Sequence, residues 1–532
     1  MKRIVNLVLI IALSSFLTTV AIAQVKSRAK AEHIVLIVWD GMRPDFVRPN
    51  YAPNLYNLAR QGVFFKNHRS SFITSTEVNG TVLATGVYPD RNGIMANSDY
   101  RPEIGWLGPT GTESVEAVRR GDLLTGGNYL QVPTFPETLQ KAGIPTVVAG
   151  TKAVTILFDR SNKHLNKAGE NSVTLYKGRT IPSTLLPALN KANEKSFPGT
   201  VTHPNKDQDA WTTKSLTHVL WRKGLPKFSV LWLSEPDASQ HETGLGSETS
   251  LAAIEQSDKN LGEVLKFLEE KKLREKTDII VVSDHGFSTI ERGVDIAAAL
   301  KRAGFKATRK FEDPEPGEVL VIGNGGSASL YVVDHDPKTI SDLIDFFQAS
   351  DFAGVIFSRL EYPGTFPLSS VRAGTTNAPD LLISLRWSHT KNDAGIPGGF
   401  VSEGGKRGKG SHASLSPYDL HNTGLAAGPD FKQGMVDELP TGNIDIAPTI
   451  LWLLGVDPGT KLDGRVLREA MVHGEDAPPS TDHQTLNAER DCGVYIWSQY
   501  LKYSRVGETV YFDEGNGESV VKSMLEQAPQ PR

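Results

Sequence analysis

A single cysteine, Cys492, in 532 residues rules out an intramolecular disulfide and any thiolate metal cluster, so a metal held by this chain needs histidine and carboxylate ligands. Basic residues are not in surplus either. The chain has 57 Lys and Arg against 61 Asp and Glu, a net charge of -4, which gives no standing electrostatic reason to hold nucleic acid or an anionic membrane. After the first 23 residues no apolar run is long enough to cross a bilayer. No internal repeat is visible, which argues against a solenoid or propeller.

What is present begins with a leader. Met1-Lys2-Arg3 is basic, the stretch from Ile4 to Val20 is apolar, and Ala21-Ile22-Ala23 has the small-x-small form of a cleavage site. This pattern predicts a secretory signal peptide over 1–23 and a periplasmic or secreted mature protein with no membrane attachment. Loss of Lys2 and Arg3 takes the charge from -4 to -6. With 39% hydrophobic residues over its full length, the chain can bury a large core.

The run His33–Trp39 is continuously apolar, as strands buried on both faces are, and it stops at Asp40-Gly41. Similar runs recur at 146–149, 228–233, 279–282 and 381–385. Amphipathic helical patterns lie between them, one starting at Pro53 and stopped by Gly62 and another over 251–271. The alternation predicts an α/β fold with a largely parallel central sheet covered by helices on both faces. Segments 98–129, 163–211 and 296–379 read as insertions, and 475–532 as a C-terminal extension beyond a catalytic domain over 24–474.

Reactive groups in such sheets gather beyond the carboxyl ends of the strands. Asp40 follows the first run, Asp237 and His241 follow the third, and Asp284-His285 follows the fourth; His412 lies in Gly408-Lys409-Gly410-Ser411-His412. Each has an ordinary reading as a turn, a solvated helix pair or an exposed loop. Taken together they form the oxygen and nitrogen set that zinc accepts. Two ions about 4 Å apart clamp the attacking and leaving oxygens of a phosphoryl displacement. The stretch 72–86 offers a candidate nucleophile for such a pair, although Ser and Thr here also read as ordinary helix caps: Thr74-Ser75-Thr76 turns into a helix, whose first-turn amides favour negative charge.

The ordered set Asp40-Gly41-x-Arg43-Pro44-Asp45, Thr76, Thr85-Gly86-x-Tyr88-Pro89, Asn92-Gly93-Ile94-x-x-Asn97, Glu235-Pro236-Asp237-x-x-x-His241, Ser283-Asp284-His285-Gly286 and Gly410-x-His412 resembles the alkaline phosphatase superfamily. Within it the set is most similar to the nucleotide pyrophosphatase/phosphodiesterase (type I phosphodiesterase) family. The resemblance implies an alkaline phosphatase-like fold with inserted cap segments and a two-zinc site. One Zn2+ would be held by Asp237, His241 and His412, and the other by Asp40, Asp284 and His285 with Thr76 Oγ as its reactive ligand. Asn97 and the Thr76 N–H would donate to the phosphoryl oxygen. The implied reaction is hydrolysis of a small, nucleotide-like phosphate diester through a phosphothreonine.

Two departures bear on the substrate. The family's Thr-Phe-Pro-Asn-His is here Thr76-Glu77-Val78-Asn79-Gly80, nearer the Ser-Glu-Val-Gly-His of cofactor-independent phosphoglycerate mutases. Gly150-Thr151-Lys152-Ala153-Val154 resembles the Lys-bearing strand end of Thr-nucleophile phosphomonoesterases and phosphonoacetate hydrolases, but Val154 replaces their second cation. A phosphomonoesterase or phosphonate hydrolase using Lys152 is therefore the alternative enzyme, and a non-catalytic binding protein that keeps the fold is the alternative of another class. The missing Cys/Ser-x-Pro-x-Arg argues against a sulfatase. Tyr100, Trp106 and Phe158 are candidate stacking platforms for a base, although core packing is the ordinary role of any one aromatic.

Overall fold

A computed structural model describes residues 29–160, 172–474 and 479–522. The predicted signal peptide lies outside them. Nine strands make the central sheet: β1 (His33–Trp39), β2 (Val63–Arg69), β3 (Thr146–Gly150), β4 (Ser172–Tyr176), β5 (Arg179–Ile181), β6 (Phe228–Leu233), β7 (Thr277–Val282), β8 (Gly424–Ala427) and β9 (Met435–Gly442). Their spatial order is β9-β2-β8-β7-β1-β6-β3-β4-β5. Strands β7, β1, β6, β3 and β4 pair in parallel, so their carboxyl ends share one edge. β8 runs antiparallel to both β7 and β2, and β5 antiparallel to β4.

Helices cover both faces. Along β1, Ile34, Leu36 and Val38 pack with Leu83 of α2 (Thr76–Thr85) and Ile450 of α5 (Ile446–Leu454). Val35, Ile37 and Trp39 face the other way, against Leu55 and Leu58 of α1 (Pro53–Gln61) and Ile254, Leu261 and Val264 of α4 (Glu248–Glu270). This two-residue alternation between two apolar layers explains the unbroken run. Burying each such side chain contributes roughly 1.5–3 kcal/mol.

The run 381–385 departs from its expected place. Leu381–Leu385 is a strand, but it belongs to a second, six-stranded sheet, where both of its neighbours run antiparallel to it. An apolar run reports burial on two faces and not which sheet buries it. The described part of segment 163–211, from residue 172, also holds more regular structure than its polar composition suggests: it carries β4 and β5, the helix Leu186–Asn193 and the start of the helix Lys206–Ser215. A four-stranded sheet pairs Ser288–Val294 with Gly410–Ser411, which delivers the loop bearing His412.

The C-terminal residues form an antiparallel meander of Thr481–Asp491, Tyr495–Val506 and Thr509–Val521. Trp387 Nε1–H donates to Gly515 O at 2.7 Å and Tyr511 O–H donates to Asp445 Oδ2 at 2.8 Å, which fastens the meander to the body. Among the described residues no helix is long and apolar enough to cross a membrane.

Candidate active site

The strand order turns dispersed residues into a row. Asp284 and His285 lie beyond β7, Asp40 beyond β1, α3 (Asp237–Thr243) beyond β6, and Lys152 beyond β3; these four strands are consecutive neighbours. Gly41 makes the first turn tight. Its φ is +71°, and a Cβ there would meet Asp237 Cβ at 3.0 Å.

Above the row stands the N-terminus of α2, whose ten residues are all buried. Thr76 is its first residue and follows Ser75 in extended conformation. Gly80 lets the helix approach β6, since a Cβ there would come within 2.5 Å of Val154 and 3.1 Å of Trp232. Asn79 pins the entering loop: its Oδ1 accepts from Ser71 N–H at 2.7 Å and its Nδ2 donates to Ser71 O at 3.0 Å.

Each imidazole is oriented by a backbone carbonyl. Nδ1–H donates to Gly410 O at 3.0 Å from His241, to Gly286 O at 2.8 Å from His285 and to Thr74 O at 2.8 Å from His412. All three Nε2 lone pairs are thereby turned towards carboxylates. Asp237 Oδ1 lies 3.3 Å from His241 Nε2, 3.7 Å from His412 Nε2 and 4.0 Å from His285 Nε2. His285 Nε2 is 3.3 Å from Asp284 Oδ2 and 3.7 Å from Asp40 Oδ1.

Asp40 Oδ1, Asp237 Oδ1 and Asp284 Oδ2 are buried without a hydrogen-bond donor. Acceptor facing acceptor across such distances is unfavourable unless a cation lies between. The residues therefore fit metal ions. Two three-residue groups have ligand atoms within 4.8 Å of one another: Asp237, His285 and His412, and Asp40, Asp284 and His285. His285 stands in both, and His241, with a side chain 40% exposed, lies at the rim beside Asp237.

The opposite oxygens are committed. Asp40 Oδ2 accepts from Trp232 Nε1–H at 2.8 Å, and Asp284 Oδ1 accepts from the N–H groups of Gly41 and His285, both at 3.0 Å. Lys152 Nζ reaches Asp237 Oδ2 at 3.0 Å, Asp40 Oδ2 at 3.1 Å and Thr76 Oγ1 at 3.4 Å. Thr76 Oγ1 is also 3.3 Å from His285 Nε2. Asn97 Oδ1 accepts from Glu77 N–H at 3.1 Å, which directs the amide towards the start of α2.

Charge follows this layout. Burial, reinforced by Asp284, holds the Asp40 carboxyl well above the usual carboxylate range. Burial acts in the same direction on Asp237, but Lys152, His241 and His412 outweigh it and hold that group well below. Burial and the neighbouring His285 and His241 keep His412 well below the ordinary histidine range, in the neutral form that a ligand needs. Burial works against the Lys152 ammonium, yet Asp237, Asp40 and Asp284 hold it charged.

All nine sequence-derived residues, Asp40, Thr76, Asn97, Lys152, Asp237, His241, Asp284, His285 and His412, are thus brought together. Others carried no signal. Asn443 Nδ2 donates to Asp284 O at 2.7 Å, and His68, read from sequence as ordinary, contacts Asn443 Oδ1 at 3.1 Å from Nε2. Glu113, in a charge-rich stretch, faces buried Glu77, and burial followed by this neighbour pushes the Glu77 carboxyl well up. Of the aromatics, Phe158 is core, edge-on to Phe135 at 5.6 Å.

A family model described as Type I phosphodiesterase / nucleotide pyrophosphatase matches residues 34–388. The chain belongs to that family. Its members include phosphoric ester hydrolases. A venom phosphodiesterase of Macrovipera lebetinus is 24% identical over 276 residues, 50% of this chain and 27% of that protein. Bis(5'-adenosyl)-triphosphatase enpp4 of Mus musculus is 23% identical over 288 residues, 52% of this chain and 53% of its own. Matches to these relatives thus span about a quarter to a half of their length. Human ectonucleotide pyrophosphatase/phosphodiesterase family member 7 is 22% identical over 492 residues, 90% of this chain and 92% of its own. Among solved structures, murine ectonucleotide pyrophosphatase/phosphodiesterase 5 has the same fold, with a TM-score of 0.58 at 17% identity over 82% of this chain and 100% of that one.

Proposed function

We propose that this protein is an exported hydrolase of phosphate diesters, nucleotide-like ones among them, working through phospho-Thr76 with two resident zinc ions. The observation that carries the reading is the convergence of Thr76 Oγ1, at 3.3 Å from His285 Nε2, with three buried carboxylate oxygens that lack donors. Asp237, His241 and His412 would hold one ion, and Asp40, Asp284 and His285 the other. When bound, the ions supply Lewis-acid charge that lowers the pKa of the Thr76 hydroxyl and offsets charge on the leaving oxygen.

Thr76 Oγ1 attacks phosphorus in line. The Thr76 hydroxyl proton passes to solvent water as the Oγ1–P bond forms and the bond to the leaving alcohol or phosphate breaks, and the leaving oxygen takes a proton back from water. A water then attacks the same phosphorus from the side vacated, breaking Oγ1–P, regenerating Thr76 and releasing the phosphate monoester. The N–H of Thr76, at the first turn of α2, and Asn97 Nδ2 donate to a non-bridging oxygen as charge builds there.

Export rests on the predicted leader, and relatives named as venom phosphodiesterases and ectonucleotide enzymes agree with it. The nucleotide-like substrate draws on the mouse relative named as a bis(5'-adenosyl)-triphosphatase and on a complex of an inactive murine variant of the structural neighbour with AMP. A second reading, a phosphomonoesterase or phosphonate hydrolase, is favoured by Lys152 Nζ at 3.4 Å from Thr76 Oγ1, because a dianion needs more compensating charge than a monoanion. The test is turnover of bis(p-nitrophenyl) phosphate and p-nitrophenyl phosphate by the zinc-loaded protein, beside Thr76→Ala. The expected result is a preference for the diester that Thr76→Ala abolishes. A strong monoester preference reverses the order of the readings, and no turnover of either ester by the zinc-loaded protein leaves a binding protein.

A further inference from the structure

Asp419 is fully buried in the short helix Pro417–Leu420 and belongs to neither group of converging ligand atoms. Its carboxylate joins the two segments that carry His285 and His412. Ser288 Oγ–H donates to Asp419 Oδ1 at 2.5 Å, and Ser414 N–H and Oγ–H donate to Oδ2 at 3.0 and 2.6 Å. Ser288 stands three residues beyond His285, and Ser414 two beyond His412. Burial pushes the Asp419 carboxyl up to about 6, so at neutral pH it is ionised and these hydrogen bonds are charge-assisted.

The backbone around this carboxylate grips the same neighbourhood. Gly286 N–H donates to Asp419 O at 2.7 Å and Phe287 N–H to Tyr418 O at 2.9 Å, which ties down the residues directly after His285. Ser70 N–H donates to Leu420 O at 2.8 Å and Ser70 Oγ–H to Asp419 O at 3.2 Å, so the chain leading to Thr76 hangs from the same helix. Thr74 Oγ1–H closes the circuit by donating to Ser414 O at 3.0 Å.

The His412 loop needs such a hold. Ala413, between His412 and Ser414, has φ +82°, in the left-handed region that a residue with a Cβ enters at a cost. Such a conformation persists only where its surroundings fix it, and the two Ser414 donors to Asp419 act on the very next residue. The His285 and His412 rings stack, with 3.8 Å between centroids and 23° between planes. Since each proposed ion takes one of these histidines, a slip of either loop shifts one ligand set against the other.

Resting on the ester-hydrolase reading above, we infer that Asp419 is a positioning residue for both proposed zinc sites, its carboxylate holding the His285 and His412 loops at one separation. The experiment is competition for zinc between the metal-free full chain and a chromophoric chelator, with the folding of each variant followed by thermal melting without metal. Asp419→Asn keeps the volume but loses the charge and turns one acceptor into a donor. It is expected to weaken zinc binding about tenfold, and Asp419→Ala up to about a hundredfold. Asp258→Asn is the comparison. Asp258 is also buried and accepts from Asn54 N–H at 3.1 Å, Asn54 Nδ2 at 2.8 Å and Leu55 N–H at 2.9 Å, but it serves the start of α1. That variant is expected to melt at a lower temperature with zinc affinity within about twofold of the wild type.

Wild-type zinc affinity in the Asp419 variants, or a loss in Asp258→Asn as large as in Asp419→Asn, overturns the inference. If Asp419→Ala does not fold, Asp419→Asn decides. Turnover of bis(p-nitrophenyl) phosphate by the zinc-loaded wild type is read separately. Its absence with the affinity pattern intact overturns the ester-hydrolase reading and leaves the role of Asp419 standing, whereas a wild type that binds no zinc overturns both.

Discussion

His412 Nδ1–H donates to the backbone carbonyl of Thr74 at 2.8 Å, across 338 positions of chain. One hydrogen bond thus turns the His412 Nε2 inward and holds the loop that presents Thr76. The proposed ligand and the proposed nucleophile are set by the same contact.

Removal of metal should therefore loosen the site as well as silence it. A chelator is expected to abolish ester turnover and lower the melting temperature, and zinc to restore both. A site filled at 100 to 1,000 times its dissociation constant gains roughly 3–4 kcal/mol. Differential scanning calorimetry with chelator and with zinc checks this, and identical melting curves would count against a resident metal.

Asn97→Ala should slow chemistry more than it weakens binding. Its Oδ1 is engaged by Glu77 N–H, so the group lost to substrate is the Nδ2 donor. Loss of one such donor lowers kcat by about 10²–10³ with little change in KM. Steady-state kinetics on bis(p-nitrophenyl) phosphate decides, and a change confined to KM would remove the proposed role.

Lys152→Ala separates the two enzyme readings. With Nζ 3.4 Å from Thr76 Oγ1, the ammonium contributes more to a dianionic ester than to a monoanionic one. The variant is expected to lose more kcat/KM on p-nitrophenyl phosphate than on its bis ester. Equal losses would mean that Lys152 serves the Asp40–Asp237 pair and not the substrate.

His68 makes stability fall in mild acid. It is fully buried, with Nδ1 3.0 Å from Thr441 Oγ1 and Nε2 3.1 Å from Asn443 Oδ1, and burial pushes its pKa down from 6.5 to about 3. The unfolded chain therefore takes up this proton first. The contribution is complete above 6.5 and is lost as pH falls below that value towards 3. Between pH 7.5 and 5.5 the wild type should lose about 1 kcal/mol that His68→Gln does not lose. Urea unfolding at the two pH values reads the difference, and equal slopes would place the pH dependence elsewhere.

Several features were legible in the chain itself because their causes are local. A strand buried on both faces must be apolar throughout, so His33–Trp39, Phe228–Leu233 and the run within β7 identify themselves, and the acids just past them mark the edge where chemistry collects. The candidate donor set followed from residue type and order, and the candidate nucleophile from the family resemblance.

Tertiary structure alone decided the rest. Nothing near Leu381–Leu385 says that its neighbours are antiparallel strands of another sheet, because pairing partners lie tens of residues away. That Lys152 turns inward depends on β3 lying beside β6, and that Asn443 supports Asp284 depends on a contact across 159 positions. Hydrogen bonds and ion pairs between distant segments leave no periodicity to read. They exist only once the sheet has fixed which strand ends meet.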